Sequence, residues 1–220
     1  VVQHNTSGII SRKGEGMDTP KGLEGKKYAT WDAPIEKAMM ENVVEADGGD
    51  FSKVELIPST VTDEVSALES KSVDAIWIFY AWAGVATEVA GLETDYFAFK
   101  DINPAFDYYT PVIIGNNEFL EKEPETAKKF LSAVKKGYED AIEDPDGAAE
   151  ILCEAAPELD QELVKASQEY LKDQYIADAD RWGYIDPDRW NLFYNWLNEN
   201  GLTENEIPEN TGFSNEYLPE

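Results

Sequence analysis

The sequence contains one cysteine and one histidine among its 220 residues. Cys153 therefore has no partner for an internal disulfide bond, and one residue of each type cannot build a zinc site from histidine and cysteine. A Ser-His-Asp or Cys-His catalytic arrangement would have to use His4, which lies in a segment that we predict to be an interior strand. These scarcities argue against hydrolase and zinc-enzyme functions.

Basic residues are also scarce, at 18 against 45 acidic residues, which gives a net charge of −27. A surface of this charge repels the phosphate backbone of nucleic acids and anionic membranes, so we expect no nucleic-acid partner. The abundance of carboxylates leaves paired-carboxylate glycoside chemistry open, because no single pair stands out.

Two kinds of segment are missing from the sequence. No glycine-rich phosphate loop joins a strand to a helix, since Gly14-Glu15-Gly16 lacks the later glycines of such motifs. The sequence has no apolar run of about 18 residues and no positively charged leader, so we expect neither a membrane span nor a signal peptide within it.

One stretch changes from strand to helix within a few residues. Residues 28–31 are aromatic and β-branched, as in a short strand, and Pro34 suits the first turn of the helix that follows. In open α/β sheets such a junction faces the ligand crevice, and free amides at the helix start can donate to the ligand. The sequence therefore predicts a ligand-binding junction at residues 31–33. In the alternative interpretation, Trp31 is a core residue and Asp32 is a helix cap.

Strand-like segments alternate with helix signals through the first half of the sequence. We predict an extended, interior strand within residues 1–13, where Ile9 and Ile10 form the strand-like pair. Further strands are predicted at residues 54–57, 74–80, 96–99 and 108–114. The segment 74–80 is an almost continuous apolar run, typical of a strand covered on both faces, so it should be central. Pro111 removes one amide from the last strand, which favours an edge, a bulge or a bend there.

The second half of the sequence is predicted to be helical. The predicted helices span residues 123–141, 146–155, 160–175 and 187–200. The last has Asp186 as its cap, Pro187 at its first position and Gly201 after its end. Its apolar stripe, which indicates core rather than a ligand site, consists of Trp190, Phe193, Tyr194 and Leu197. We expect the tail after residue 207 to be irregular.

Five segments, taken in order, resemble the NMT1/THI5-like substrate-binding proteins of ABC transporters. They are GIISRKG, KGLEGKKYATWDAPIEKAMM, ALESKSVDAIWIFYAW, DYYTPVIIGNNEFLEKEPETAKKFLSAVKKGYEDA and GYIDPDRWNLFYNWLNENGL. The resemblance implies an α/β, type II periplasmic-binding fold, with a mostly parallel sheet flanked by helices and two lobes that close on a small molecule.

The resemblance also divides the chain into three parts. Residues 1–21 would be a crossover from lobe one, residues 22–116 the α/β lobe two, and residues 117–220 a helical return to lobe one with a C-terminal tail. The family's opening part of lobe one, with its aromatic-proline-asparagine ligand motif, has no counterpart here, so we expect an incomplete first lobe and half of a pocket. The aromatic face of the last helix would then be hidden by self-association or by rearranged helices.

By position, the resemblance assigns ligand contacts to two loops and one strand. The matching residues are Trp31, Asp32 and Pro34 in the first loop, Tyr80 and Trp82 in the second, and Tyr108, Tyr109 and Thr110 in the returning strand. Because side chains alternate along a strand, one of the two strand tyrosines should face the ligand. We expect no catalytic residue, no metal ligand and no cofactor.

The resemblance implies an extracytoplasmic solute-binding protein, periplasmic or a cell-surface lipoprotein, that delivers a thiamine pyrimidine precursor or similar small heteroaromatic to an ABC transporter permease. Aromatic residues at both junctions suit stacking, which contributes about 0.5–1.5 kcal/mol per ring beyond area burial. A sulfonate, taurine or nitrate binder of the same fold is the first alternative, although the candidate loops offer Lys37 as their one cation. A pyrimidine-synthase-like enzyme and a fragment that binds nothing are the others. The enzyme branch of the family consumes its own histidine with iron and a cysteine-rich motif, and this sequence lacks those residues.

Overall fold

The computed structural model describes residues 1–59 and 61–219, which form two compact units. The sheet unit comprises Thr6–Asp107 and Asn195–Ile207, and the helical unit comprises Val1–Asn5, Tyr108–Tyr194 and Pro208–Glu220. The chain passes from one unit to the other after Asn5, Asp107, Tyr194 and Ile207. The lobe boundaries given by the resemblance stay predictions.

The sheet unit contains a mixed sheet of five strands. They are β1 (Ser7–Arg12), β2 (Lys27–Thr30), β3 (Glu55–Pro58), β4 (Ala75–Phe79) and β5 (Thr94–Ala98), in the order β3-β2-β4-β1-β5. As predicted, β4 is central and β1 is an interior strand. The prediction of a mostly parallel sheet is wrong, because β2 is parallel to β3 and β4 whereas β1 is antiparallel to β4 and β5. Apolar patterning predicts that a strand exists but carries no information on its direction.

Side chains on the two faces of this sheet take part in different contacts. On one face, Ile10 lies opposite Ile76 and Tyr96, and a buried cluster forms there with Ile78 and Leu68. On the other face, Ile9 lies opposite Trp77 and Phe97. The helices of the sheet unit are α1 (Pro34–Ala46), α2 (Glu64–Glu69), α3 (Val85–Val89) and α4 (Phe99–Ile102), with 3-10 turns at Pro20–Leu23, Phe51–Lys53 and Pro104–Phe106 and a π turn at Tyr80–Gly84. The predicted helix start at Pro34 is confirmed.

The helical unit contains the predicted helices of the second half of the chain. They are α6 (Pro124–Glu143), α7 (Pro145–Ala155) and α8 (Gln161–Leu171), preceded by a short α5 (Asn117–Lys122) and followed by α9 (Pro187–Glu199), whose last five residues belong to the sheet unit. Ala149 and Cys153 of α7 pack against Val164 of α8. None of the described helices combines the length and apolar character needed to cross a bilayer.

The strand predicted at residues 108–114 is absent, and a bend occurs at Pro111 instead. Pro111 has no amide hydrogen for a ladder, and the apolar side chains that follow it, Val112, Ile113 and Ile114, are exposed. A strand needs a neighbouring strand to which its backbone is hydrogen-bonded, and residues 108–114 do not belong to the described five-stranded sheet. The alternative of a bend at Pro111 is therefore the one that the structure adopts.

Two residues of the aromatic stripe of α9 are covered within the protein, Trp190 by the C-terminal tail and Phe193 by Tyr108. Trp190 is buried, its Nε1 donates to the Thr211 carbonyl at 2.9 Å, and its ring packs against Phe213 at 5.2 Å. Phe193 stacks on Tyr108 with 4.3 Å between ring centroids. Trp190 is thus a core residue, as predicted, while the expectation of self-association receives no support. The tail is irregular, also as predicted.

We predict that Gly8→Ala lowers the free energy of unfolding by about 1–3 kcal/mol, because overpacking displaces backbone and side chains. Gly8 lies between β4 and β5, and a Cβ atom there would be 2.1 Å from the Phe97 carbonyl oxygen and 2.7 Å from the Tyr96 ring. The measurement is urea unfolding followed by circular dichroism.

Gly137→Ala is the control for this change. Gly137 lies inside α6, where an added Cβ meets no atom within 4 Å, so alanine should raise the free energy of unfolding by about 0.8–1 kcal/mol through helix propensity. Equal effects of the two substitutions would contradict the close approach at Gly8.

Candidate functional site

The junction between β2 and α1 is organised by the buried carboxylate of Glu36. This carboxylate accepts hydrogen bonds from the Tyr28 hydroxyl at 2.6 Å, the Thr30 hydroxyl at 3.0 Å and the Ala33 amide at 3.3 Å. The Asp32 amide in turn donates to Thr30 Oγ1 at 2.9 Å. Burial and the neighbouring carboxylate raise the pKa of the Tyr28 hydroxyl, which keeps it a donor. The predicted donation of junction amides to a ligand therefore does not extend to residues 32 and 33, whose amides are bonded internally.

With this hydrogen bonding, the backbone of the junction takes a left-handed conformation at Asp32. Asp32 has a φ of 64°, in the left-handed region that few residues other than glycine, asparagine and aspartate adopt. Its carboxylate lies 2.8 Å from the ammonium of Lys37, and the N-cap of α1 is Ala33 rather than Asp32. The alternative in which Asp32 caps the helix is therefore wrong.

The turn leaves Trp31 half exposed, at 51% of its surface, so the alternative of a core residue is wrong as well. Its ring meets Trp77 edge-on at 5.1 Å, and Trp77 packs against Phe99 at 4.2 Å. Sequence reasoning did not single out Trp77. Its position inside an apolar run hid the fact that it supports the exposed ring of the junction.

The second junction, the π turn after β4, separates its two predicted site residues. Tyr80 packs its ring against Tyr96 at 4.7 Å, donates its hydroxyl to Glu88 and joins the cluster of Ile76 and Ile78. Trp82 is 42% exposed. Because Ile76 and Trp77 lie on opposite faces of β4, the structure does not bring the Tyr80 and Trp31 rings together.

In the helical unit, the three predicted site residues differ in their contacts. Tyr108 is stacked on Phe193, and Thr110 is half buried. Tyr109 is buried, its hydroxyl accepts from the Asp186 amide at 2.8 Å, and the Arg189 guanidinium lies over its ring at 3.9 Å. Burial raises the pKa of Tyr109. Tyr109 is thus a structural residue of this unit, and its contact with a ligand stays a prediction.

Sequence reasoning did not identify Arg189, whose positive charge lies beside the predicted site residue Tyr109. Arg189 lies 3.0 Å from His4 Nδ1 and donates to Gln3 Oε1 at 3.1 Å. Since a guanidinium can only donate, His4 Nδ1 accepts, and Nε2 carries the hydrogen that is donated to Asp178 at 2.7 Å. These contacts join residues about 180 positions apart, so no local sequence signal could have revealed them.

Within the part of the chain that the structure describes, no group of three or more histidine, cysteine, aspartate or glutamate side chains is placed to hold a metal ion.

A sequence model of the family described as NMT1/THI5 like matches residues 1–148. The chain belongs to this family. One relative, the formylaminopyrimidine-binding protein of Halalkalibacterium halodurans, is 25% identical over 223 aligned residues, which cover 97% of this chain and 66% of that protein. This chain thus spans just under two thirds of that relative's length.

Solved structures agree with this membership at the level of the fold. The periplasmic aliphatic sulphonate binding protein SsuA from Escherichia coli superposes with a TM-score of 0.66 at 15% identity, covering 93% of this chain and 67% of that one. The desulfurization enzyme DSZB superposes with a TM-score of 0.58 at 12% identity, covering 93% and 72%. The chain therefore has the α/β periplasmic-binding-protein-like fold.

We predict that Glu36→Gln lowers the free energy of unfolding by about 1–3 kcal/mol, the cost of leaving a buried donor without an acceptor. A glutamine amide offers one acceptor oxygen where the carboxylate offers two, so in either orientation its NH₂ group would face a group that now donates to Glu36: the Tyr28 hydroxyl, or the Thr30 hydroxyl and the Ala33 amide. Denaturant unfolding measures the change.

Glu41→Gln, at an exposed position of the same helix, is the matched control and should leave the free energy of unfolding within about 0.5 kcal/mol. If Glu36→Gln behaved like this control, the carboxylate would not hold the junction together.

Proposed function

We propose that the protein is an extracytoplasmic solute-binding protein of an ABC importer and that it binds a thiamine pyrimidine precursor or a similar small heteroaromatic. The observation that carries the proposal is the match, over nearly the whole chain, to a relative named as a formylaminopyrimidine-binding protein. The other partner would be the transporter permease. A periplasmic or cell-surface location follows from the same assignment, since the SsuA neighbour is described as periplasmic.

The geometry of the first junction supports a stacking role for Trp31. Its ring is exposed, while Trp77 and the hydrogen-bonded turn hold it in place, so that little side-chain freedom would be lost when a flat ring binds. Stacking of this kind contributes about 0.5–1.5 kcal/mol beyond area burial. The Asp32 carboxylate, also exposed, offers an acceptor for the amino group of an aminopyrimidine.

The other predicted site residues enter the proposal with less structural support. Pro34 begins α1 beside this loop, and Trp82 is exposed in the second junction. Ligand contacts of Tyr80, Tyr108, Tyr109 and Thr110 stay predictions from the resemblance.

A sulfonate, taurine or nitrate ligand is the second candidate. Arg189 over Tyr109 favours it, because a guanidinium is the group that pairs best with an oxyanion. In the sheet unit, however, the Lys37 ammonium is already paired with Asp32 at 2.8 Å, so the loop offers an anion no unmatched positive charge. The likeness to SsuA, at 15% identity, supports the fold and does not choose between these ligands.

An enzymatic function is the third candidate and has the least support. The DSZB neighbour is an enzyme, but at 12% identity it shares only the fold. The chain's one cysteine, Cys153, is buried between α7 and α8 against Ala149 and Val164. We therefore propose binding without catalysis.

We predict that the protein expressed from its whole gene binds formylaminopyrimidine more tightly than taurine or nitrate in isothermal titration calorimetry. Trp31→Ala should raise the Kd of the pyrimidine about tenfold, since a stacking ring and its buried area are lost. Binding should also quench tryptophan fluorescence.

Phe130→Ala, which removes an exposed aromatic ring from α6, is the control and should leave the Kd unchanged. Tight binding of taurine or nitrate that is unaffected by Trp31→Ala would contradict the pyrimidine proposal, and so would the failure of all three compounds to bind.

A further inference from the structure

The large apolar side chains that the sheet unit exposes converge on one edge of its sheet. They are Trp31 at 51% exposure, Phe79 at 46%, Trp82 at 42% and Ile35 at 39%, and the other exposed large apolar residues of the described chain belong to the helical unit. Trp31 directly follows β2, and Phe79 is the last residue of β4. Because β2 and β4 are adjacent and parallel, their carboxyl ends lie at the same edge.

Single exposed apolar residues are ordinary on protein surfaces, but these four side chains are grouped rather than scattered. Ile35 lies in the first turn of α1 and Trp82 in the turn after β4, so both also follow the carboxyl ends of these strands. In open α/β sheets that edge is where ligands bind. The exposed apolar surface of the sheet unit is therefore concentrated where a ligand site is expected.

Strand alternation places Phe79 on the same face as Trp31. The backbone of Phe79 is extended, with φ −101° and ψ 120°, so alternation along β4 holds up to that residue. Phe79 then shares a face with Trp77, whose ring contacts Trp31. Tyr80 turns to the opposite face, where its ring packs on Tyr96.

We propose that Phe79, rather than Tyr80, is the aromatic residue at the end of β4 that contacts the ligand, and that with Trp31 it forms an apolar wall for a flat heteroaromatic ring. Tyr80 then acts as a positioning residue, because its contacts with Tyr96 and Glu88 hold the π turn that carries Trp82. This inference rests on the proposed function, and it names the side chains that would select an aromatic ligand over a small oxyanion.

The test is calorimetry of the protein expressed from its whole gene, with formylaminopyrimidine and taurine as the two probes. Phe79→Ala should raise the Kd of the pyrimidine at least tenfold and leave the thermal midpoint within about 2 °C, since the side chain is half exposed. Phe79→Trp should bind within threefold of the unchanged protein, because it keeps an aromatic face. Tyr80→Phe keeps its ring and loses the hydroxyl bond to Glu88, so it should weaken binding less than Phe79→Ala.

The outcomes separate this inference from the proposal on which it rests. If Trp31→Ala weakens pyrimidine binding while Phe79→Ala stays within twofold of the unchanged protein, the role of Phe79 is overturned and the proposed function stands. A loss in Tyr80→Phe equal to that in Phe79→Ala would also overturn it. If the unchanged protein binds taurine and not the pyrimidine, or binds neither, both ideas fail.

Discussion

The buried carboxylate of Glu36 is the constraint on which the candidate site of the sheet unit depends. A charge that is removed from water is costly unless donors surround it, and three donors from β2 and the following turn do so here. Those donors are spread over residues 28–33, so satisfying one carboxylate fixes the path of the whole junction. The positive φ of Asp32 and the outward direction of Trp31 follow from that path.

A rigid junction of this kind matters because ligand affinity is reduced by every side chain that must be ordered on binding. The Trp31 ring contacts Trp77, and Trp77 packs against Phe99, so two further aromatic side chains support the exposed ring. Packing also fixes an aromatic side chain at the end of β4. Gly84 leaves room for the Tyr80 ring, because a Cβ atom at position 84 would lie 2.5 Å from that ring. Local packing thus decides which aromatic side chains remain available to a ligand.

Local signals predicted the elements of this fold well, whereas relations between distant elements escaped them. Pro34, the apolar run of β4 and the cap of α9 each carry their information within a few residues, and the structure confirms those elements. The direction of β1, the missing strand at residues 108–114 and the placement of Arg189 over Tyr109 depend on partners far away in the sequence. The question of whether Phe79 or Tyr80 faces a ligand depends on both local and distant information. Alternation is local, but the face that carries Trp31 is known only from its contact with Trp77.

The net charge of −27 affects the preference for a neutral or an anionic ligand less than its size implies. At physiological ionic strength, exposed charges farther apart than about 8 Å are largely screened, so most of the carboxylates act on a bound ligand only weakly. The local balance then decides, and at the first junction the Asp32 and Lys37 charges cancel at 2.8 Å. An oxyanion that bound the Lys37 ammonium would share it with Asp32 and would lie close to the negative charge of that carboxylate. A neutral heteroaromatic ring would meet no such repulsion and would bury the apolar surface of Trp31, which supports the proposed heteroaromatic ligand over an oxyanion.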